Sequence, residues 1–344
     1  MASAERGRRG VMTGLVGLVA VAILATLVVV LVTGEYASGP TPRHAGASAS
    51  GSRPVRSDTP TPTPAQPRSP GPRTAPPYPV QDESLRLFDP SRQTPARGDV
   101  PASEGRNLVT DLYVPSGAPG PLPLVVFAHG WNSDRGMYQT LLDQWAAAGF
   151  LVAAPVFPDS TDQYPGTLAS DYGQQDLDLE FVLTSLLDDE SLRIDPTRIA
   201  VAGHSDGGTD VALMALDPAY ADARVRAYVC MSGQLPSGIA AYTVAPSPAA
   251  LLVAVGTNDE YGLYPLAGRV FQAARTSSKV EIVESGGDHL GSFIDATTGA
   301  AAMRDETIRF LELVLGVGST YDPSSSGIEV LTPSGDPPVV PTKG

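Results

Sequence analysis

Two hydrophobic patterns alternate between residues 84 and 316. Short uninterrupted apolar runs predict strands at "NLVTDLYVP" (107–115), "PLVVFAHG" (123–130), "FLVAAPVF" (150–157), "RIAVAGH" (198–204), "RAYVCMSG" (226–233), "ALLVAVGT" (250–257) and "KVEIVESG" (279–286). Between them, apolar residues recur at the spacing of one helical face. Tyr138, Leu141, Leu142, Trp145 and Ala146 form one such face, stopped by Gly149, and Leu179, Val182, Leu183, Leu186 and Leu187 form another. "GTDVALMAL", "LAGRVFQAART" and "RDETIRFLELVL" predict three more helices. Apolar strands separated by amphipathic helices imply a mostly parallel sheet covered on both faces. The expectation is a doubly wound α/β domain over residues 84–318, with its chemistry at the carboxyl ends of the strands.

The flanks follow other rules. Residues 11–33 are an uncharged apolar run, long enough to cross a bilayer and longer than the apolar region of an ordinary signal peptide. Arg6, Arg8 and Arg9 precede it, which keeps residues 1–10 cytoplasmic and exports the remainder. We expect an uncleaved, single-pass signal anchor with an extracellular domain. The alternative is a long cleavable signal ending near Ala37, which would make the protein secreted. Residues 34–80 hold 12 prolines and almost no large apolar side chains, so they read as a disordered Pro/Ser/Thr-rich linker. Residues 319–344 read as a low-complexity tail.

Composition narrows the function. The net charge of −14 argues against nucleic-acid binding, which needs a basic surface. Cys230 is the single cysteine, so no intramolecular disulfide can form, and its apolar context predicts a buried residue. No cluster has metal-ligand spacing and no G-x-G-x-x-G follows the first strand, so no cofactor is expected.

The candidate chemistry centres on "GHSDGG". With 35 glycines in 344 residues, G-x-S-x-G alone is a weak signal. Its context is stronger: a predicted strand precedes Ser205 and a predicted helix follows, as a nucleophile elbow requires. Gly203 and Gly207 stand where a Cβ would crowd that turn. A serine needs a base. His289, on a glycine-rich loop after the last predicted strand, is the choice over His129 and His204. Asp259, just past the preceding strand, is the acid expected to hold the imidazole, with Glu260 as its neighbour and substitute. The oxyanion hole needs two backbone N–H groups. We assign them to Asp206 and to Trp131, with Gly130 competing for the second place.

"VVFAHGW", "GHSDGG", "GTNDEYG" and "GGDHLGSF", in this order, resemble the α/β-hydrolase superfamily. Within it the chain is most similar to a group containing platelet-activating-factor acetylhydrolase, chlorophyllase, dienelactone-hydrolase-like proteins and cutinase-like polyester hydrolases. The resemblance spans roughly residues 105–316 and implies a serine esterase. Asp206 departs from it, because many relatives carry methionine or another neutral residue after the nucleophile. Dienelactone hydrolases proper use a cysteine nucleophile, so that activity is not implied. Residues 234–249 are too few for a large cap, which favours an open site for small-molecule or polymeric esters. The acidic stretch 158–180 either rims that site or is a solvated loop. Two alternatives stand beside the esterase: a peptidase or amidase on the same triad, and a non-catalytic surface-binding module. Nothing in the sequence bears on oligomeric state.

Overall fold

The computed structural model describes residues 78–163, 166–168, 171–235, 243–276, 278–317 and 329–331. The expected cytoplasmic end, anchor and nearly all of the linker lie outside these residues, as does most of the tail. Among the described residues, no helix is long and apolar enough to cross a membrane.

Among the described residues, nine strands form one sheet. They are β1 (Val80–Asp89), β2 (Arg106–Pro115), β3 (Leu122–Ala128), β4 (Leu151–Pro155), β5 (Ile194–His204), β6 (Val225–Met231), β7 (Ala250–Gly256), β8 (Lys279–Glu284) and β9 (Glu329–Leu331). Their order across the sheet is β1-β2-β4-β3-β5-β6-β7-β8-β9. Strands β4, β3, β5, β6, β7 and β8 pair in parallel, while β1 and β2 at one edge and β9 at the other pair antiparallel. Two strands lie outside the sequence expectation. β1 begins ahead of residue 84, and β9 falls within the segment read as a tail.

The helices are α1 (Gln139–Ala147), α2 (Gln174–Leu187), α3 (Asp206–Leu216), α4 (Tyr264–Ala273), α5 (Gly291–Ile294) and α6 (Thr298–Leu315). Strand alternation divides the core between the two faces of the sheet. Leu124, Val126, Val201, Cys230 and Val253 pack with Leu179, Val182, Val211 and Val270 of α2, α3 and α4. Their neighbours Val125, Phe127, Ala202, Val229 and Leu252 pack with Leu142, Trp145, Met303 and Leu311 of α1 and α6. Central strands buried on both faces explain the uninterrupted apolar runs. Trp145 is wholly buried, and its indole Nε1–H donates to Thr307 Oγ1 at 2.9 Å, joining α1 to α6.

Part of the acidic stretch after β4 is buried rather than solvated: Asp159, Asp176 and Asp178 all lie inside the fold. Arg106, 1% exposed at the start of β2, binds Asp178 of α2 through Nε at 2.7 Å and Nη2 at 2.6 Å. Its Nη1 binds Asp159 at 2.8 Å, and Asp171 lies 3.5 Å from Nη2. This fork pins both ends of the loop against the sheet. A bidentate arginine matches carboxylate geometry in a way a lysine cannot.

Candidate active site

β5 ends at His204 and α3 begins at Asp206, so Ser205 alone makes the turn between them. Its φ of 59° and ψ of −118° lie in a region that side chains rarely occupy. Such strain persists only where surrounding contacts impose it. Here Ser205 N–H donates to Met231 O at 3.0 Å, and Ser205 O accepts from Thr209 N at 2.9 Å. The flanking glycines are required by close approach. A Cβ on Gly203 would stand 2.2 Å from Gly207 O, and one on Gly207 would stand 2.3 Å from Ala128 O.

His289 arrives on the loop between β8 and α5. Its Nδ1 lies 2.7 Å from Asp259 Oδ2, and both residues are buried. Burial pushes the Asp259 carboxyl up, but the His289 hydrogen bond and charge, the adjacent Ser232 hydroxyl and the Tyr261 N–H outweigh it, so the net shift is downward. Glu260 does not compete for the ring, because its Oε2 accepts the backbone N–H of His289 at 3.0 Å. The Tyr261 ring stands edge-on to the imidazole at 4.6 Å and is otherwise exposed. Among the described residues, no hydrogen bond joins Ser205 Oγ to His289. What links the two loops is His204.

His204 is buried behind the elbow. Its Nε2 lies 2.9 Å from His289 O, a carbonyl that can only accept, so Nε2 carries the proton. Nδ1 must then accept, and Tyr138 Oη stands 3.0 Å away to donate. Tyr138 Oη in turn accepts the Gly130 N–H at 3.1 Å. One directional chain thus joins the loop after β3, the elbow and the backbone of His289. Burial, with the nearby His289, pushes His204 down to about 3, which keeps it neutral in this role. His129 supports the same region. Its Nε2 accepts the Phe157 N–H at 3.0 Å, its Nδ1 donates to Gly130 O at 2.8 Å, and burial pushes it down to about 4.

The loop after β3 brings two candidate oxyanion donors beside the serine. Gly130 is so close that an added Cβ would stand 3.1 Å from Ser205 Cβ, but its N–H is taken by Tyr138. Among the described residues, no acceptor takes the Trp131 N–H. Asp206 opens α3, where backbone N–H groups point out of the helix N-terminus. Its carboxylate has a partner that sequence reasoning missed: Oδ1 accepts the Tyr172 hydroxyl at 2.9 Å. Tyr138, Ser232 and Tyr172 were also missed. Of these, only Tyr138 carried any signal, as a polar-tipped aromatic on an otherwise apolar helix face. Among the described residues, no group of three His, Cys, Asp or Glu side chains is arranged to hold a metal ion.

The strand order and the strained strand–serine–helix turn are those of the α/β-hydrolase fold. Residues 104–233 match the family model described as Chlorophyllase, a span running from β2 through β6 that includes Ser205 but neither Asp259 nor His289. Among solved structures, the chain is similar to a ferulic acid esterase from Streptomyces cinnamoneus. The match covers 78% of this chain and 100% of that one, with 20% identity and a TM-score of 0.56. Identity at that level speaks to the fold. No curated protein matches the sequence. Together the comparisons support a carboxylic ester hydrolase on the α/β-hydrolase fold.

Proposed function

We propose that the protein is an exported, membrane-tethered serine esterase whose triad is Ser205, His289 and Asp259. The observation that carries this reading is the strained Ser205 at the carboxyl end of β5, with the His289–Asp259 pair presented at the same edge of the sheet. Ser205 Oγ attacks the ester carbonyl and its proton passes to His289 Nε2. Asp259 holds the Nδ1–H and stabilises the imidazolium. The N–H groups of Trp131 and Asp206 receive the oxyanion. The alcohol departs with the proton from His289, and water, activated by the same imidazole, releases the acid and restores Ser205.

The neutral His204 chain supports this scheme, because it sets the His289 backbone and the Gly130–Trp131 loop relative to each other. Residues 11–33 supply the tether. A fluorophosphonate probe is expected to label the protein, and Ser205→Ala to abolish both labelling and p-nitrophenyl ester hydrolysis. Labelling that survives the substitution would overturn the assignment. External protease treatment of intact cells tests the topology: release of the catalytic domain is expected, and complete protection would refute it.

A further inference from the structure

The reaction above uses the backbone N–H of Asp206 and leaves its carboxylate without a task. That carboxylate is half-buried on the first turn of α3, next in sequence to the nucleophile, with Oδ1 on the Tyr172 hydroxyl at 2.9 Å. Tyr172 closes the loop that Arg106 pins through Asp159 and Asp171. The carboxylate is therefore positioned from two elements and cannot swing freely. Its charge is felt at the oxyanion loop. Tyr138, the acceptor of the Gly130 N–H, is pushed up to about 12, chiefly by burial and in part by the charges of Asp206 and Asp134.

Covalent geometry does the rest. An oxygen held by the Asp206 N–H lies within about 6 Å of that residue's own carboxylate, a range at which like charges repel appreciably even in a partly solvated site. We infer that Asp206 is a specificity-determining residue: its fixed carboxylate selects esters with an uncharged or cationic acyl group, disfavours carboxylate-bearing ones, and helps expel the acid product. The inference rests on the esterase reading. Hydrolysis of a neutral ester yields an alcohol and a carboxylic acid, and the acid loses its proton to water at neutral pH. Each turnover thus creates, beside Asp206, the kind of anion that Asp206 repels.

The test compares p-nitrophenyl butyrate with mono-p-nitrophenyl succinate, which replaces the terminal methyl by a carboxylate. Wild type, Asp206→Asn and Asp206→Met are assayed for kcat/KM on both esters, and for inhibition by butyrate. Glu83→Gln, an exposed change on β1, controls for the overall negative charge. Neutralising Asp206 is expected to raise the succinate-to-butyrate ratio about tenfold and to lower the butyrate inhibition constant by a similar factor. Glu83→Gln is expected to change neither. If the Asp206 variants do not fold, the wild type still decides: raising ionic strength should favour the succinate ester over the butyrate ester. A ratio unmoved by substitution or salt, with hydrolysis still dependent on Ser205, overturns the inference and leaves the esterase standing. A wild type inert to both esters, or hydrolysis persisting in Ser205→Ala, overturns the esterase reading and the inference with it.

Discussion

Replacing Ser205 by glycine and by alanine separates the stability of the elbow from its chemistry. Both variants lose the hydroxyl, so that loss cancels in the comparison. What differs is the backbone. With φ at 59° and ψ at −118°, Ser205 has the angles of the first central residue of a type II′ turn, a place glycine takes without a Cβ penalty. A non-glycine residue held in such a region costs about 1–3 kcal/mol, and alanine retains that cost. Glycine removes it, but gives back about 0.5–1 kcal/mol through the greater freedom of its unfolded chain. The net expectation is that Ser205→Gly is more stable than Ser205→Ala by about 0.5–2 kcal/mol. For a domain of this size that corresponds to a Tm about 1–8 °C higher. Differential scanning calorimetry and urea unfolding of the two variants at one pH measure the difference. A glycine variant equal to or less stable than the alanine variant would refute strain at the nucleophile.

Three further outcomes follow from the same geometry. Asp259→Asn should lower kcat on p-nitrophenyl esters by about 10⁴, because the imidazole loses its anionic partner and its tautomer; a fall of less than tenfold counts against that role. His204 is held neutral down to about pH 3 in the fold but takes up a proton near its ordinary value of 6.5 when unfolded, so its contribution is present above 6.5 and is lost as pH falls. His204→Gln should therefore flatten the slope of unfolding free energy against pH between about 4 and 6 by about 1.4 kcal/mol per pH unit, read by urea titration; an unchanged slope refutes the assignment. Asp210, buried in α3 and raised well above its ordinary value by burial and neighbouring aspartates, has the opposite sign, since the fold keeps a proton that the unfolded chain releases as pH rises. Asp210→Asn should thus gain on the wild type from pH 4 to pH 8, and a Tm difference that does not grow with pH would contradict this.

Much of the sheet could be read from the sequence because the central strands are buried on both faces. Runs such as "ALLVAVG" admit no polar interruption, and seven of them were visible as strands. β1 escaped because it is an edge strand: "VQDESLRLFD" is mostly exposed, and its register is set by pairing with β2 rather than by its own pattern. The elbow was legible from the glycines around Ser205, whose necessity the close approaches to Gly207 O and Ala128 O explain. The contacts that organise the site were not legible, because they join residues far apart in sequence through groups with ordinary local roles. Tyr138 reads as one more apolar position on a helix face, yet its hydroxyl lies against His204, 66 residues away. Arg106 opens a strand with nothing nearby to announce Asp178, 72 residues on. Acidic residues at 159, 171 and 178 look solvated in one dimension because the guanidinium they share comes from elsewhere.

Cys230 lies in the floor of the sheet beneath α3. Its sulfur is fully enclosed, its thiol donates to Gly208 O at 3.2 Å, and burial pushes it up to about 12. Since thiolate and access are both needed for reaction, maleimides should pass over the folded protein. It is also the chain's single cysteine. A cysteine introduced at exposed Tyr261, against the imidazole, would therefore be the sole labelling point without prior removal of a native thiol. One fluorophore or spin label there would report substrate arrival and departure from a known position, on a background that is already silent.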